Sequence, residues 1–258
     1  MDLSIIVIEY NSLSEIHSFQ EHLKGCLKGL DYELIVSSNS LYNSEKQAEI
    51  LKEYPDLRWT FNERNGGFAY GMNRGLEIAQ GDYLMIANSD VMIKSGMPEA
   101  VDFLRRHSDV GALGPAVKDE NGVLQDSARP YVTIGAWLSR QIKRVIGKSD
   151  IYKLEGIQTV DWLIGACIIM SREAYARTKG LDEHYFMYAE DLDFCTRIRQ
   201  RGKEIVYFPP MQVSYKGTRS ARHSFKYAVI FIKSHLHYWK KFGFFTIQPK
   251  RKAIKFEE

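Results

Sequence analysis

Short apolar segments alternate with amphipathic helical segments over the first ninety residues of this chain. The apolar segments are LSIIVI, YELIVSSNS, LRWTFNE and DYLMIANSD. The first helical segment between them carries Ile16, Phe19, Leu23 and Leu27 on one stripe. This alternation is typical of a mostly parallel sheet with helices packed on it. The sequence therefore predicts an α/β fold.

Polar residues follow three of these predicted strands, in EYNS, SSNS and NSD. In open α/β sheets a ligand lies at the carboxyl ends of the strands, so these tails should meet at one crevice. Asp90, in NSD, has two interpretations. It could form a turn or a helix cap, which Asn, Ser and Asp all favour. It could instead bind Mg²⁺ or Mn²⁺ together with substrate phosphates.

A glycine-rich segment, NGGFAYGMNRG, leads into the next predicted helix. It does not match the GxGxxG dinucleotide fingerprint. It is not a P-loop either, because it lacks the GK[ST] ending. Its four glycines allow the backbone to approach a ligand closely, and the segment presents Asn65 and Asn73. The alternative is a mobile turn followed by the start of a helix.

Three acids lie among aromatic residues in YFMYAEDLDFCTRIRQRG, residues 185–202. We predict a helix from Glu190 to about Arg201, with an apolar stripe of Leu192, Cys195 and Ile198. The acids would then lie in its first turn, where the helix dipole favours negative charge. Capping and catalysis both remain open, because the aromatic wall before the helix would raise a carboxylate's pKa toward that of a general base.

Composition narrows the class of protein. Hydrophobic residues make up 45% and charged residues 26% of the 258 residues, as in ordinary folded soluble proteins. No apolar run approaches the roughly 18 residues of a spanning helix, and the first strand is not preceded by the basic region of a signal peptide. Three widely spaced cysteines without a CxxC motif argue against a disulfide scaffold or a zinc site. We therefore expect a cytoplasmic protein with reduced thiols.

Positive charge is concentrated at the C-terminal end. Residues 216–258 hold 11 Lys and Arg and 2 acids, whereas residues 1–215 have a net charge of −6. We predict a domain at 1–215 and a basic amphipathic helical tail at 216–258. One helical stripe of the tail comprises Phe225, Ala228, Val229, Ile232, Leu236 and Trp239.

The tail has two main interpretations. Amphipathic helices usually cover a core, which favours a helix docked on the domain. A basic face beside an aromatic-rich apolar face instead favours an in-plane helix on an anionic membrane surface. Nucleic-acid binding is disfavoured, because no base-reading motif accompanies the charge.

Five segments, in this order, resemble the family 2 inverting glycosyltransferases: SIIVIEYNS, NGGFAYGMNRG, YLMIANSDV, VDWLIGACIIMSREA and GLDEHYFMYAEDLDFCTRIRQRG. The resemblance covers roughly residues 3–220, and its nearest group is the bacterial rhamnosyltransferases that build O-antigen and related surface polysaccharides. It implies a GT-A fold, a Rossmann-like, mostly parallel sheet flanked by helices, here with a C-terminal amphipathic helical extension. It also implies a nucleotide-diphosphate sugar donor and a divalent cation, Mg²⁺ or Mn²⁺.

The resemblance also implies roles by position. Asp191 matches the general base, which takes the proton of an acceptor hydroxyl as that hydroxyl attacks C1 of the donor sugar. Asp90 matches the acid that contacts the metal and the diphosphate. The donor side is expected to comprise Tyr10, Ser38, Asn39, Asn65, Gly67, Phe68, Asn73, Ser89 and Asp90. The acceptor side is expected to comprise Trp162, Gly165, Ala166 and Glu190.

The expected reaction is inverting transfer of L-rhamnose from dTDP-rhamnose to a saccharide acceptor on a lipid diphosphate, at the inner face of the cytoplasmic membrane. It would serve synthesis of O-antigen, capsule or cell-wall polysaccharide. A UDP-hexose donor is the first alternative. A sugar-nucleotide nucleotidyltransferase is disfavoured, because EYNSLSE is not the glycine-rich, basic loop expected after its first strand.

A non-catalytic saccharide-binding protein is a further alternative, because the chain departs from the family pattern at three positions. The family often has Asn, Asp and His where Glu9, Ser38 and Tyr215 stand. The Asp usually contacts the nucleotide and the His can complete the metal site, so both contacts are in question.

Overall fold

The computed structural model describes residues 1–146, 154–215, 225–245, 247 and 254–256. The first part of the chain alternates strands and helices as predicted. Its elements are β1 (Leu3–Glu9), α1 (Leu13–Cys26), β2 (Tyr32–Ser38), α2 (Ser44–Glu53), β3 (Arg58–Phe61), α3 (Gly67–Ile78) and β4 (Tyr83–Ala87). The following elements are β5 (Val91–Ser95), α4 (Met97–Arg106), β6 (Val110–Lys118), β7 (Ala128–Arg129) and α5 (Ile134–Val145). The described remainder forms β8 (Gln158–Val160), β9 (Trp162–Leu163), β10 (Cys167–Ser171), α6 (Arg172–Thr178), α7 (Glu190–Gln200), β11 (Glu204–Tyr215) and α8 (Phe225–Phe242).

One nine-stranded sheet runs through the described part of the chain. Its order is β3-β2-β1-β4-β10-β6-β11-β5, and β8 pairs with β11. The strands β3, β2, β1 and β4 are parallel, which places their carboxyl ends at one edge. β10 is antiparallel to β4 and β6, and β11 is parallel to β6. The predicted α/β sheet flanked by helices is confirmed, with its antiparallel strands confined to the half that follows β4.

Both faces of this sheet are covered, which explains why β1 is apolar without alternation. Ile5 and Val7 belong to one core cluster, which includes the buried stripe of α1. Ile6 belongs to the cluster on the other face, with residues of α3 and α7. The predicted stripe of Ile16, Phe19, Leu23 and Leu27 is confirmed, since all four are buried.

The helix predicted at the acid cluster is also confirmed. The predicted helix from Glu190 is α7, and its stripe of Leu192, Cys195 and Ile198 is buried. The strand in TVDWLIGACIIMS is interrupted at Gly165, between β9 and β10. The amphipathic basic segment at 137–148 lies in α5 as far as Val145, and its last two residues lie outside the described residues.

The helix α8 is docked on the domain by one of its faces. Tyr238 and Trp239 are buried. The Tyr238 hydroxyl shares a hydrogen bond with the Thr196 hydroxyl (2.8 Å), and the Trp239 indole donates to the Val132 carbonyl (2.7 Å). The docking interpretation therefore holds for this face, while the predicted domain boundary at residue 216 lies outside the described residues.

Candidate active site

Asp191, the predicted general base, is the second residue of α7 and is partly exposed. Its carboxylate accepts hydrogen bonds from the N–H groups of Gly165 (2.7 Å) and Leu192 (2.7 Å). Burial raises the pKa of Asp191, while these N–H groups and the positive charge of Arg129 oppose that effect. A fixed carboxylate with a raised pKa is suited to accept a proton from a hydroxyl.

Glu190 lies beside Asp191 but is buried. Burial, followed by the negative charge of Asp191, holds the pKa of Glu190 well above its usual range. Adjacent carboxyl groups do not both ionise readily in an apolar setting, so Glu190 favours its protonated form and Asp191 carries the charge. The Glu190 Oε2 atom is buried and has no hydrogen-bond partner among the described residues.

The third acid of the cluster, Asp193, has a structural role. It is fully buried and pairs with Arg197 one helical turn later. Its Oδ2 atom also accepts hydrogen bonds from Lys241 of α8 (2.6 Å) and from the Tyr185 hydroxyl (3.3 Å). A buried carboxylate requires such partners, so Asp193 holds α7, the preceding loop and α8 together.

The loop before α7 enters the helix through a strained backbone. Tyr188 and Ala189 have φ angles of 69° and 65°, a region that residues with a Cβ seldom adopt. Each such residue costs about 1–3 kcal/mol and persists only where its surroundings impose the conformation. This backbone conformation sets the direction in which Glu190 and Asp191 project.

Asp90 follows β4 at the carboxyl edge of the sheet, as predicted from NSD. Burial raises the pKa of Asp90, and the nearby Glu15 adds to this effect. Asn88 donates to the Tyr215 hydroxyl (2.8 Å), and burial followed by the charge of Asp90 raises the pKa of Tyr215 to about 12. Tyr215 therefore lies beside Asp90, at the position where the family often has His. The hydroxyl of Ser89, between Asn88 and Asp90, donates to the Glu15 carboxylate (2.7 Å).

The segment between β9 and β10 connects the two candidate carboxylates. The Gly165 N–H binds Asp191, and the carbonyl of the next residue, Ala166, accepts the Asn88 N–H (3.0 Å). A Cβ at Gly165 would lie 3.4 Å from the Asp191 Cβ, so the chain passes very close to the predicted base. The predicted acceptor-side residues Gly165 and Ala166 thus lie between Asp191 and the Asp90 loop.

The glycine-rich segment contacts the loop that precedes α7. Gly67 has φ +88°, and a Cβ there would lie 2.0 Å from the Phe186 carbonyl oxygen. The same carbonyl accepts the Phe68 N–H (2.8 Å), while the Asn65 side chain accepts the Gly67 N–H (3.1 Å). The Phe68 ring then lies 3.6 Å from where a Cβ of Gly165 would stand. Only glycine allows this close contact between the donor-side motif and the loop before α7.

Two predicted donor-side amides are used inside the protein. Asn39 is buried, donates to the Gly67 carbonyl (3.1 Å) and accepts from Asn62 (2.8 Å). Asn73 is buried and exchanges hydrogen bonds of 2.9 Å with the backbone of Leu181. These side chains hold the glycine-rich segment against the neighbouring loops. By contrast, the ring of Tyr10 is exposed at the carboxyl end of β1.

Glu9 supplies a carboxylate where the neighbouring strand has Ser38. The two residues are paired across β1 and β2, and both are buried. Glu9 accepts hydrogen bonds from the hydroxyls of Ser38 (2.6 Å), Ser40 (2.8 Å) and Tyr42 (3.0 Å) and from the Ser12 N–H (2.8 Å). The Glu9 carboxylate is therefore bound inside the protein, where it fastens the loops that follow β1 and β2.

Arg129 and His235 were not singled out from the sequence. Arg129 lies on β7, which pairs with β9; its guanidinium pairs with Asp126 (2.8 Å) and lies 5.2 Å from the centroid of the Trp162 ring. The buried Trp162 in turn donates to the Pro130 carbonyl (3.0 Å). Burial and the charge of Arg129 lower the pKa of His235 on α8. No local pattern indicated either residue, because Arg129 comes near Asp191, and His235 near Arg129, only through tertiary packing.

The residues around Asp90 fit a hard divalent cation that is shared with a ligand. Among the described residues, no group of three or more His, Cys, Asp and Glu side chains is arranged so that it could hold a metal ion. A cation would therefore take one carboxylate, that of Asp90, and complete its coordination with oxygens from a diphosphate and from water. This donor set suits Mg²⁺ or Mn²⁺.

Several known proteins resemble this chain in sequence. The sequence profile described as "Glycosyl transferase family 2" matches residues 4–178. The N-acetylglucosaminyl-diphospho-decaprenol L-rhamnosyltransferase of Mycobacterium tuberculosis is 28% identical over 210 residues, which cover 72% of this chain and 67% of that protein. Rhamnosyltransferase WbbL of Escherichia coli is 24% identical over 213 residues, which cover 75% and 78% respectively.

A solved structure shows the same fold. The crystal structure of GalNAc-T7 with UDP, GalNAc and Mn²⁺ superposes with a TM-score of 0.62 at 17% identity, over 83% of this chain. The matched region spans 43% of that longer chain. The fold is GT-A, and this chain belongs to glycosyl transferase family 2.

Proposed function

We propose that this protein transfers L-rhamnose from dTDP-rhamnose, with inversion at C1, to a saccharide carried on a lipid diphosphate. The reaction would serve synthesis of O-antigen, capsule or cell-wall polysaccharide at the inner face of the cytoplasmic membrane. Two relatives named as rhamnosyltransferases support the sugar, and one of them is named for a diphospho-decaprenol acceptor. The single observation that supports the chemistry is that the Gly165 N–H binds Asp191, while the next carbonyl, that of Ala166, accepts the N–H of Asn88, two residues before Asp90.

The proposed chemistry follows from the positions of these two carboxylates. Asp191 accepts the proton of the acceptor hydroxyl while the hydroxyl oxygen forms a bond to C1 of the sugar. The bond from C1 to the donor phosphate oxygen breaks on the opposite side, and nucleoside diphosphate departs with the bonding electrons. Asp90 would hold a divalent cation, and a cation bound there would supply positive charge for the leaving diphosphate oxygens.

The protein's other groups orient these reactants. The Gly165 N–H fixes the Asp191 carboxylate, and the protonated Glu190 offers a hydrogen bond beside it. Phe68 and Trp162 close the crevice with apolar surface, which limits the access of water to the donor sugar. Glu9 holds together the loops that follow β1 and β2, where the nucleotide end of the donor would lie.

A panel of donors tests this function. The purified chain is given dTDP-rhamnose, UDP-glucose, UDP-N-acetylglucosamine or GDP-mannose, with Mn²⁺ and a diphosphate-linked saccharide on a short lipid. We expect transfer from dTDP-rhamnose, with the opposite anomeric configuration in the product by NMR. Preference for a UDP-hexose would replace the donor and keep the reaction class. Binding of saccharide without transfer from any donor would overturn the enzyme proposal.

A further inference from the structure

The helices α5 and α8 leave apolar stripes that no described part of the protein covers. On α5 and just after it, Leu138, Ile142 and Ile146 are exposed at intervals of four residues. On α8, Phe225, Ile232 and Leu236 are exposed, although Tyr238 and Trp239 of the same helix are buried. Phe244 and Phe245, directly after α8, are exposed as well. The sequence predicted one stripe on the tail; the structure divides it into a docked face and a free face.

The two helices are in contact at one end of each. The Ile134 N–H at the start of α5 donates to the Phe244 carbonyl after α8 (3.1 Å). The rings of Trp137 and Trp239 meet edge to face, with centroids 6.2 Å apart. The amino end of α5 is therefore fixed against the carboxyl end of α8.

Charge decides which partner suits this surface. The segments Ile134–Val145 and Phe225–Phe242 contain seven Lys and Arg and no Asp or Glu. Lys143, Lys226, Lys233 and Lys240 are exposed. A second copy of this surface would bring like charges together, whereas an anionic bilayer offers both opposite charge and an apolar interior. None of the helices that the structure describes is long and apolar enough to cross a bilayer.

We propose that the free faces of α5 and α8 together form an interfacial surface that seats the protein on an anionic lipid bilayer. This rests on the proposed function, since a lipid-linked acceptor explains why an enzyme would reside there. The surface is connected to the chemistry through α8. Ser234 donates to the Met187 carbonyl (2.8 Å), and the Phe231 and Tyr188 rings lie 5.5 Å apart, directly before Glu190 and Asp191. Seating α8 on a bilayer would bring the acceptor's lipid end close to the loop that precedes α7 and its predicted base, Asp191.

Two charged substitutions and a matched control test the surface. Ile142→Glu on α5 and Ile232→Glu on α8 replace side chains that are 61% and 53% exposed. Leu51→Glu on α2 replaces one that is 49% exposed on a helix outside the surface. The full chain is sedimented with phosphatidylglycerol vesicles and with phosphatidylcholine vesicles, at low and at high salt. Thermal unfolding confirms that each variant is folded.

We expect binding to anionic vesicles that weakens in high salt and is much reduced on phosphatidylcholine. Each of the two surface variants should bind about tenfold more weakly, because it loses an inserted side chain and adds a repelled charge. The Leu51→Glu control should bind as the unchanged protein does. If the intact protein ignores anionic vesicles at low salt, or if both variants bind normally, the proposal fails.

Two further measurements distinguish this proposal from a dimer interface and from the proposed function. Light scattering tests whether the surface is covered by a second copy: a dimer that Ile142→Glu and Ile232→Glu abolish, without any vesicle binding, would overturn the bilayer. Transfer to a short soluble acceptor should be retained by both variants. A protein that binds vesicles as expected but transfers no sugar contradicts the proposed function and leaves the lipid surface standing.

Discussion

Arg129 is a cation whose charge opposes the raised pKa of Asp191, although burial and the Gly165 and Leu192 N–H groups have larger effects on that pKa. Burial raises the pKa of Asp191, and the Arg129 charge lowers it again. The other groups that act on this carboxylate are Glu190, which is favoured in its protonated form, and two backbone N–H groups. The base is active only when deprotonated, so activity should rise with pH through the pKa of Asp191.

Replacing Arg129 tests this electrostatic role. In Arg129→Gln the pKa of Asp191 should rise further, because the opposing positive charge is gone. The acidic limb of the kcat/KM profile should therefore move to higher pH, while Arg129→Lys, which keeps the charge, should move it less. An unchanged limb in a folded Arg129→Gln protein would show that Arg129 acts only through packing on Trp162.

Asp90 makes a separate prediction about the metal. Because it is a single carboxylate ligand, Mn²⁺ should bind the empty protein weakly and much more tightly with nucleoside diphosphate present, as measured by calorimetry. Asp90→Asn should remove this gain, whereas Asp109→Asn, at the opposite edge of the sheet, should retain it. Tight Mn²⁺ binding without nucleotide, or full transfer activity in EDTA, would contradict a shared metal site.

Residue types at the site were easier to predict than the contacts they make. Asp191, Asp90 and Gly165 were assigned from motifs that resemble those of a known family, and their roles remain predictions. Asn39 and Asn73 were expected to face a donor, yet their amides bind the protein's own backbone and side chains. Glu9 and Ser38 read as departures from a family pattern, but packed side by side they form one buried hydrogen-bonded pair. Sequence spacing carries no information on such cross-strand partners.

At the scale of elements, α8 packs against the rest of the domain. Lys241 reaches the buried Asp193, and Trp239 fills the space beside Val132. The amphipathic pattern predicted the helix but left its partner open, because a stripe of Phe, Ile, Leu and Trp suits a protein core and a bilayer equally well. The burial of Tyr238 and Trp239 shows that one face of α8 packs on the protein. The sequence pattern alone could not predict this.

Truncating Trp239 measures how much this docking contributes. Trp239→Ala should lower the free energy of unfolding by about 3–5 kcal/mol, since a buried indole and its hydrogen bond are both lost. Ile232→Ala on the exposed face of the same helix should change it by less than about 0.5 kcal/mol. Urea unfolding of the two variants gives the comparison. Equal stability of Trp239→Ala and the unchanged protein would mean that α8 is not held to the domain.

At the scale of the whole molecule, charge and chemistry are arranged around one edge of the sheet. The carboxyl ends of β1, β2 and β4 carry the candidate donor side, and the loop before α7 brings the acid cluster to it. The basic C-terminal region follows a part of the chain with a net charge of −6. We propose that a cation at Asp90 would meet an anionic donor, and that α5 and α8 would meet an anionic membrane surface.

The most direct test of the account is the transfer activity of Asp191→Asn beside its neighbour Glu190→Gln. Asparagine keeps the shape of the side chain but cannot take the proton, so transfer should fall by at least about a hundredfold. Donor binding, followed by calorimetry with nucleotide sugar and Mn²⁺, should remain near that of the unchanged protein. Glu190→Gln should lose less, because glutamine resembles the protonated carboxyl favoured there. Near-normal transfer by a folded Asp191→Asn protein would contradict the account and remove Asp191 as the base.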